Sequence, residues 1–235
     1  MIVVVFVAYN NPEQTERRWK RDVRPAVEEA YRRFGLDYRA VCVDNGTVAS
    51  PQLREVFGSS YLWNGGNNLQ YGSSINLAVR LTPSSAFVLY ACTRHGRSLD
   101  PSWACDLLAP MIESPDVGMT GCLWGSNSPE GVAASGGHDW VREKYQFRHS
   151  DGSSYVPQHV QGGVFAARTE LLVRFPYPAD YPHLYTDHLM TWAALRAGYR
   201  CMDVPSVRSV WRDVYPDWKM NGVKYLHDES PEFGI

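Results

Sequence analysis

IVVVFVAYNN, residues 2–11, is the segment from which the architecture follows. Its apolar, largely β-branched part is too continuous to leave one face to solvent, which suits a strand in the middle of a mostly parallel sheet. It stops abruptly at Tyr9, Asn10 and Asn11, residue types that end strands and open loops. Moving outward, residues 13–34 carry Trp19, Val23, Val27, Ala30, Tyr31 and Phe34 at helical spacing, with charge on the other face. Pro25 bends or breaks this helix and Gly35 stops it. A second strand covers residues 38–43 and ends in Asp44, Asn45 and Gly46. Residues 51–57 read as a short helix and 61–63 as a short strand. A helix over about 72–81 follows, then a further buried strand over 86–91. This β–α–β–α–β order predicts an α/β fold: a Rossmann-like, doubly wound, mostly parallel sheet whose ligand crevice lies at the carboxyl ends of the strands.

The second half is patterned differently. Residues 101–113 form a helix with Trp103, Leu107, Leu108 and Met111 on one face, and 117–123 a strand. Residues 125–158 turn to Gly, Ser, His and charged types without a period, as expected of a functional loop region. Then come Gly162, Gly163, the strand VFAA (164–167), and a helix over 186–197 closed by Gly198. With no repeat and no linker, one domain is expected over 1–215, its nucleotide half about 1–100 and its acceptor half about 101–215. Residues 216–235 form an extension whose Tyr215, Trp218, Tyr225 and Leu226 border or populate it and suit packing against the domain or a second subunit, as in a homodimer.

Composition narrows the class. A formal net charge of -2 argues against a nonspecific grip on nucleic acid by the whole surface. The apolar start lacks a charged leader and is too short for a signal peptide, and no stretch approaches the roughly 18–20 apolar residues of a membrane span. The five cysteines, Cys42, Cys92, Cys105, Cys122 and Cys201, are odd in number and widely spaced, which favours reduced, buried thiols and a cytoplasmic protein over a disulfide framework or zinc site. His183, Asp187 and His188 lack the one-face spacing of a zinc pair. The absence of a Gly-x-Gly-x-x-Gly turn after the first strand disfavours a dinucleotide enzyme.

Three strand ends carry the candidate chemistry: Tyr9-Asn10-Asn11, Asp44-Asn45-Gly46, and the polar turn after Ala91. Tyr9 can stack on a base, and Asp44 can accept the imide N–H of uracil or contact a ribose. Taken singly, such residues also serve as caps and turns. Gathered at one edge of a parallel sheet, they point to a nucleotide.

The order of these pieces resembles the family 2 inverting glycosyltransferases of GT-A fold. The resemblance rests on VFVAYNN (5–11 with Val5 and Phe6 leading), VCVDNGT (41–47), WNGGNNLQYGSSINLA (63–78), QGGVFAARTELL (161–172) and TDHLMTWAALRAGYRCMDVP (186–205), and covers residues 2–212. It implies transfer of a sugar from a nucleotide-sugar, a UDP-sugar for preference, to an acceptor hydroxyl. It also implies that Ala8, Tyr9, Asn10, Asp44, Asn45, Asn67, Asn76, Ala91 and Cys92 hold the donor and that Asp187 is the general base. Gly162, Gly163, His188 and His138 would meet the acceptor, although Gly136 to Trp140 also suit an ordinary turn. Two metal-associated positions depart from the family. The Asp-x-Asp stretch after the third long strand reads Tyr90-Ala91-Cys92-Thr93, and the late His position holds Trp211. Arg94, His95 and Arg97 stand just beyond the missing acids and can pair with a diphosphate directly, although they suit an ordinary solvated loop equally well. A metal-independent enzyme is therefore expected, with Mn or Mg dependence left open. The alternatives are a nucleotide-sugar-binding protein without catalysis, or a nucleotidyltransferase, which would need metal-binding acids. The acceptor stays open among a small molecule, a glycan, a protein and a modified nucleic-acid base.

Overall fold

Strand β1 (Ile2–Ala8) lies inside the sheet, hydrogen-bonded in parallel to β2 (Tyr38–Asp44) on one side and to β4 (Phe87–Ala91) on the other. Its continuous apolar run is thereby explained. Ile2, Val4 and Phe6 pack into one core layer and Val3 and Val5 into the other, all fully buried. The computed structural model of the chain describes residues 1–92, 99–122, 147–148, 154–155, 160, 162–177, 187, 190–191, 193–194, 197–204 and 206–207. Between β2 and β4 come α3 (Pro51–Phe57), β3 (Tyr61–Trp63) and α4 (Gln70–Leu81). After β4 come α5 (Trp103–Glu113), β5 (Val117–Cys122), a small hairpin of β6 (Phe147–Arg148) with β7 (Ser154–Tyr155), β8 (Val164–Arg168), α6 (Thr169–Arg174) and β9 (Arg200–Val204). The seven-stranded sheet has the order β3-β2-β1-β4-β8-β5-β9.

The sheet is mixed and mostly parallel, as the sequence predicts, with one strand reversed. β8 runs antiparallel to both β4 and β5. Consequently the beginning of β8, not its end, reaches the edge where β1, β2 and β4 finish. Gly163 continues the ladder there, its carbonyl accepting the Cys92 N–H at 2.7 Å.

The expected helix over 13–34 is interrupted rather than bent. It divides into α1 (Pro12–Arg18), a π-helical turn Trp19–Val23, and α2 (Arg24–Phe34). Pro25 stands in the first turn of α2, where its missing N–H costs least. In the turn before it, the Arg24 amide reaches the Trp19 carbonyl five residues back. Val23, Val27 and Ala30 are buried as their spacing predicts, whereas Tyr31 is half exposed. Across α5, Trp103, Leu107, Leu108 and Met111 all enter the core. Together with α2 and α3 they cover one sheet face, while α4 and α6 cover the other.

Cys42 and Cys105 are buried, and none of Cys42, Cys92, Cys105 and Cys201 forms a disulfide. Burial pushes the Cys42 thiol well up and the Cys201 thiol up to about 12. Among the described residues no helix is long and apolar enough to cross a membrane. The boundary expected at 215 lies outside the described residues.

Trp103 ties α5 to the π turn: it is 1% exposed and its indole N–H donates to the Asp22 carbonyl at 2.9 Å. Trp103→Ala should cost about 3–5 kcal/mol, from the cavity and the orphaned carbonyl together. Urea unfolding checks this; a change below about 1 kcal/mol would contradict the packing described.

Candidate active site

The register of the sheet aligns three strand ends, Ala8 beside Asp44 and Asp44 beside Trp63. Beyond Ala8 the chain turns at Asn10, which adopts φ 51°, a conformation that asparagine tolerates better than most residues. Its side-chain oxygen accepts the Thr47 N–H at 3.2 Å, joining the first strand-end loop to the second. Between these loops lies an open hollow of about 390 Å³ whose lining includes Asn10, Pro12, Asp44, Thr47, Ser50 and Gln52. Tyr9 and Val48 are exposed apolar side chains on these loops, and Trp63 is another at the end of β3.

Asp44 lines the hollow, yet its carboxylate is first of all the organiser of its own loop. It is 3% exposed. One oxygen accepts the Gly46 N–H at 2.9 Å; the other accepts the Ser50 N–H at 3.2 Å and the Tyr61 hydroxyl at 2.6 Å. Burial, followed by that bond to Asp44, pushes the Tyr61 phenol up to about 12. Asn45 is sealed too, at 1% exposure. Its amide donates to Ser74 Oγ at 3.0 Å and its oxygen accepts from the Asn64 amide at 2.5 Å, so it pins β2 to α4 and to the end of β3. Asn67 is exposed and donates to the Asn64 carbonyl at 3.2 Å.

A second cluster stands where β4 and β8 meet. Asp187, the expected base, accepts the Gly162 N–H on Oδ2 at 3.1 Å. Thr191, one turn further along, donates to the Asp187 carbonyl at 2.8 Å and accepts the Val160 N–H at 2.9 Å, fastening this helical turn to Val160, ahead of β8. Tyr71, from the first turn of α4, brings its hydroxyl to the same glycine. Asn76 sits elsewhere on α4, and its amide is occupied with the backbone of Tyr177: it donates to the carbonyl at 2.8 Å and accepts the N–H at 2.9 Å. Ala91 is buried at the end of β4 and Cys92 is partly covered beside it.

The structure therefore brings Ala8, Tyr9, Asn10, Asp44 and Asn45 to one part of the carboxyl edge, and Ala91, Cys92, Gly162, Gly163 and Asp187 to another. Arg94, His95, Arg97, His138 and His188 lie outside the described residues. Among the described residues no group of three or more His, Cys, Asp or Glu gathers as a metal site. The described side chains beside Ala91 and Cys92 thus offer no ready fit for a divalent cation. Sequence reasoning missed Ser50, Tyr61, Tyr71 and Tyr177. Ser50-Pro51, a capping residue followed by Pro at the start of α3, was a readable signal for the first of these.

No protein-family model and no curated protein matches the chain. Solved structures do. Glucosyl-3-phosphoglycerate synthase from Mycobacterium tuberculosis, in complex with Mn2+, UDP and phosphoglyceric acid, matches at TM-score 0.64 and 16% identity, over 100% of this chain and 81% of that one. The chain has the GT-A fold. The same enzyme with Mn2+, UDP-glucose and phosphoglyceric acid matches at TM-score 0.60 and 14% identity, over 94% of this chain and 74% of that one. Its UDP complex matches at 0.61 and 16%, over 93% and 74%. At such identities the GT-A likeness is one of architecture.

The raised Tyr61 phenol has a measurable consequence. Its folded pKa, about 12, stands above the ordinary 10, so its contribution to stability is complete below pH 10 and is lost as pH rises from 10 towards 12. Tyr61→Phe should weaken the fold by about 1.5–3 kcal/mol at neutral pH and flatten the decline above pH 10. Urea unfolding at pH 7–11 checks both effects; an unchanged slope in the variant would contradict the Tyr61–Asp44 bond.

Proposed function

We propose that this chain is a glycosyltransferase that moves a sugar from a nucleotide-sugar, a UDP-sugar for preference, to an acceptor hydroxyl. One observation carries the reading: the hollow between the β1 and β2 loops and the carboxylate of Asp187, held on Gly162, belong to the same edge of the sheet. The structural neighbours support it, since their complexes hold UDP or UDP-glucose.

In the proposed reaction the acceptor O–H gives its proton to Asp187 as its oxygen bonds to the anomeric carbon. The bond from that carbon to the phosphate oxygen breaks, and the nucleoside diphosphate departs with the electron pair. A single displacement of this kind inverts the configuration. A hydroxyl is a weak nucleophile, and a positioned carboxylate base contributes about 10²–10⁴-fold. Tyr9 and Asn10 are assigned to the nucleotide, with Asp44 and Asn45 shaping the loops that receive it. Gly162, Gly163, His138 and His188 are assigned to the acceptor side. The negative charge that develops on the diphosphate needs a counter-charge, and Arg94, His95 and Arg97 are assigned that task. The neighbours' complexes contain Mn2+ or Mg2+, a Lewis acid when bound; for this chain the reading is metal-independent transfer, because Ala91 and Cys92 stand where acids would be expected.

With UDP-glucose as donor, Asp187→Asn should lower release of UDP by about 10²–10⁴-fold while the thermal shift produced by UDP-glucose is retained. Excess chelator should leave wild-type turnover intact. A variant as active as wild type removes Asp187 from the chemistry, and a chelator-induced loss restored by manganese overturns metal independence. Wild-type protein that binds UDP-glucose and analogous donors but turns none over is a binding protein.

A further inference from the structure

We propose that Tyr71 is a positioning residue for Asp187, holding the carboxylate in place across the space above Gly162; this rests on the reading of Asp187 as the base. Gly162 has no side chain, and the gap it leaves is narrow. A Cβ there would lie 3.2 Å from the Tyr71 hydroxyl oxygen, 3.3 Å from the Asp187 Cβ and 3.4 Å from Asp187 Oδ2. The phenol and the carboxylate therefore border one spot about the size of a methyl group. The same Oδ2 accepts the Gly162 N–H at 3.1 Å. The amide fixes the carboxylate from one direction, and the phenol limits its swing from another.

Tyr71 is suited to this because it cannot move easily. Its ring meets Tyr90 edge to face, with centroids 5.1 Å apart, and Tyr177 likewise at 5.5 Å. Its hydroxyl lies 3.5 Å from that of Tyr177. Tyr177 is itself locked to α4, by the two bonds its backbone exchanges with the Asn76 side chain and by Gly72, where an added Cβ would sit 2.8 Å from the Tyr177 Cβ. Burial pushes both the Tyr71 and the Tyr177 phenols upward, with the nearby Asp187 charge acting in the same direction. Both hydroxyls therefore stay neutral beside the carboxylate. Asn76, Tyr177 and Tyr71 thus form a chain that ends at the spot beside the Asp187 carboxylate.

The test uses the full chain and the variant Tyr71→Phe, which removes one oxygen. The first readout is the Gly162 amide resonance, with Asp187→Asn marking where that resonance moves when the charged acceptor is lost. Tyr71→Phe should move it in the same direction while the protein still unfolds cooperatively; a resonance at its wild-type position overturns the proposal. This readout needs no donor, so it decides the positioning claim whichever sugar is transferred. The second is release of UDP from UDP-glucose: kcat should fall about 10-fold with KM unchanged, as for a base misplaced by a fraction of an ångström. Should Tyr71→Phe fail to fold, Gly162→Ala keeps every tyrosine and forces a Cβ between phenol and carboxylate. It should give the same fall in kcat, and wild-type kcat there overturns the proposal. If Asp187→Asn keeps full turnover, the base reading fails by itself. If Asp187→Asn is inactive while Tyr71→Phe matches wild type in both readouts, the positioning proposal alone fails.

Discussion

The antiparallel pairing of β8 with β4 sets the geometry of the working edge. Parallel strands alone would send the start of β8 to the far end of the sheet, away from the loops after β1 and β2. Because β8 is reversed, Val164 pairs with Ala91, and the Gly163 carbonyl takes the Cys92 amide one step beyond. Gly162 then projects its own amide past the end of the ladder, and that amide holds Asp187. A main-chain donor at the tip of a buried strand is a stiff support, since the strand cannot shift without breaking its pairing with β4 and β5.

The polar side chains of this edge divide into those that face the hollow and those spent on holding loops together. Asp44 and Asn45 are nearly sealed, and their bonds go to Gly46, Ser50, Tyr61, Asn64 and Ser74. A buried carboxylate without such donors would be costly, so this network is what allows an acid at the end of a central strand. It also makes the two strand-end loops nearly one unit, because Asn10 reaches across to Thr47. Preorganised loops of this sort lower the entropic cost of closing on a ligand.

Much of the fold was legible because its strongest signals are local. The run from Ile2 to Ala8, the spacing of Trp103, Leu107, Leu108 and Met111, and the turn residues after β2 each declare an element without help from the rest. The reversal of β8 was not legible, since VFAA reads the same in a parallel or an antiparallel setting. The π turn was foreshadowed by Pro25, but not its geometry or the docking of Trp103, far along the chain, on its Asp22 carbonyl. At the candidate site, an ordered set of motifs singles out Asp187. Tyr71 and Tyr177 were not, because only folding brings residues 71, 162, 177 and 187 together.

The central claim is that the loops after β1 and β2 and the carboxylate on Gly162 serve one bound molecule. Titrating the isotopically labelled protein with UDP-glucose and following its backbone amides tests this directly. Tyr9, Asn10, Gly46 and Thr47 should shift together with Gly162, saturating at one concentration, while amides of α2 and α5 stay put. Shifts confined to the first four with Gly162 silent, or clustered on the opposite edge of the sheet, would contradict it.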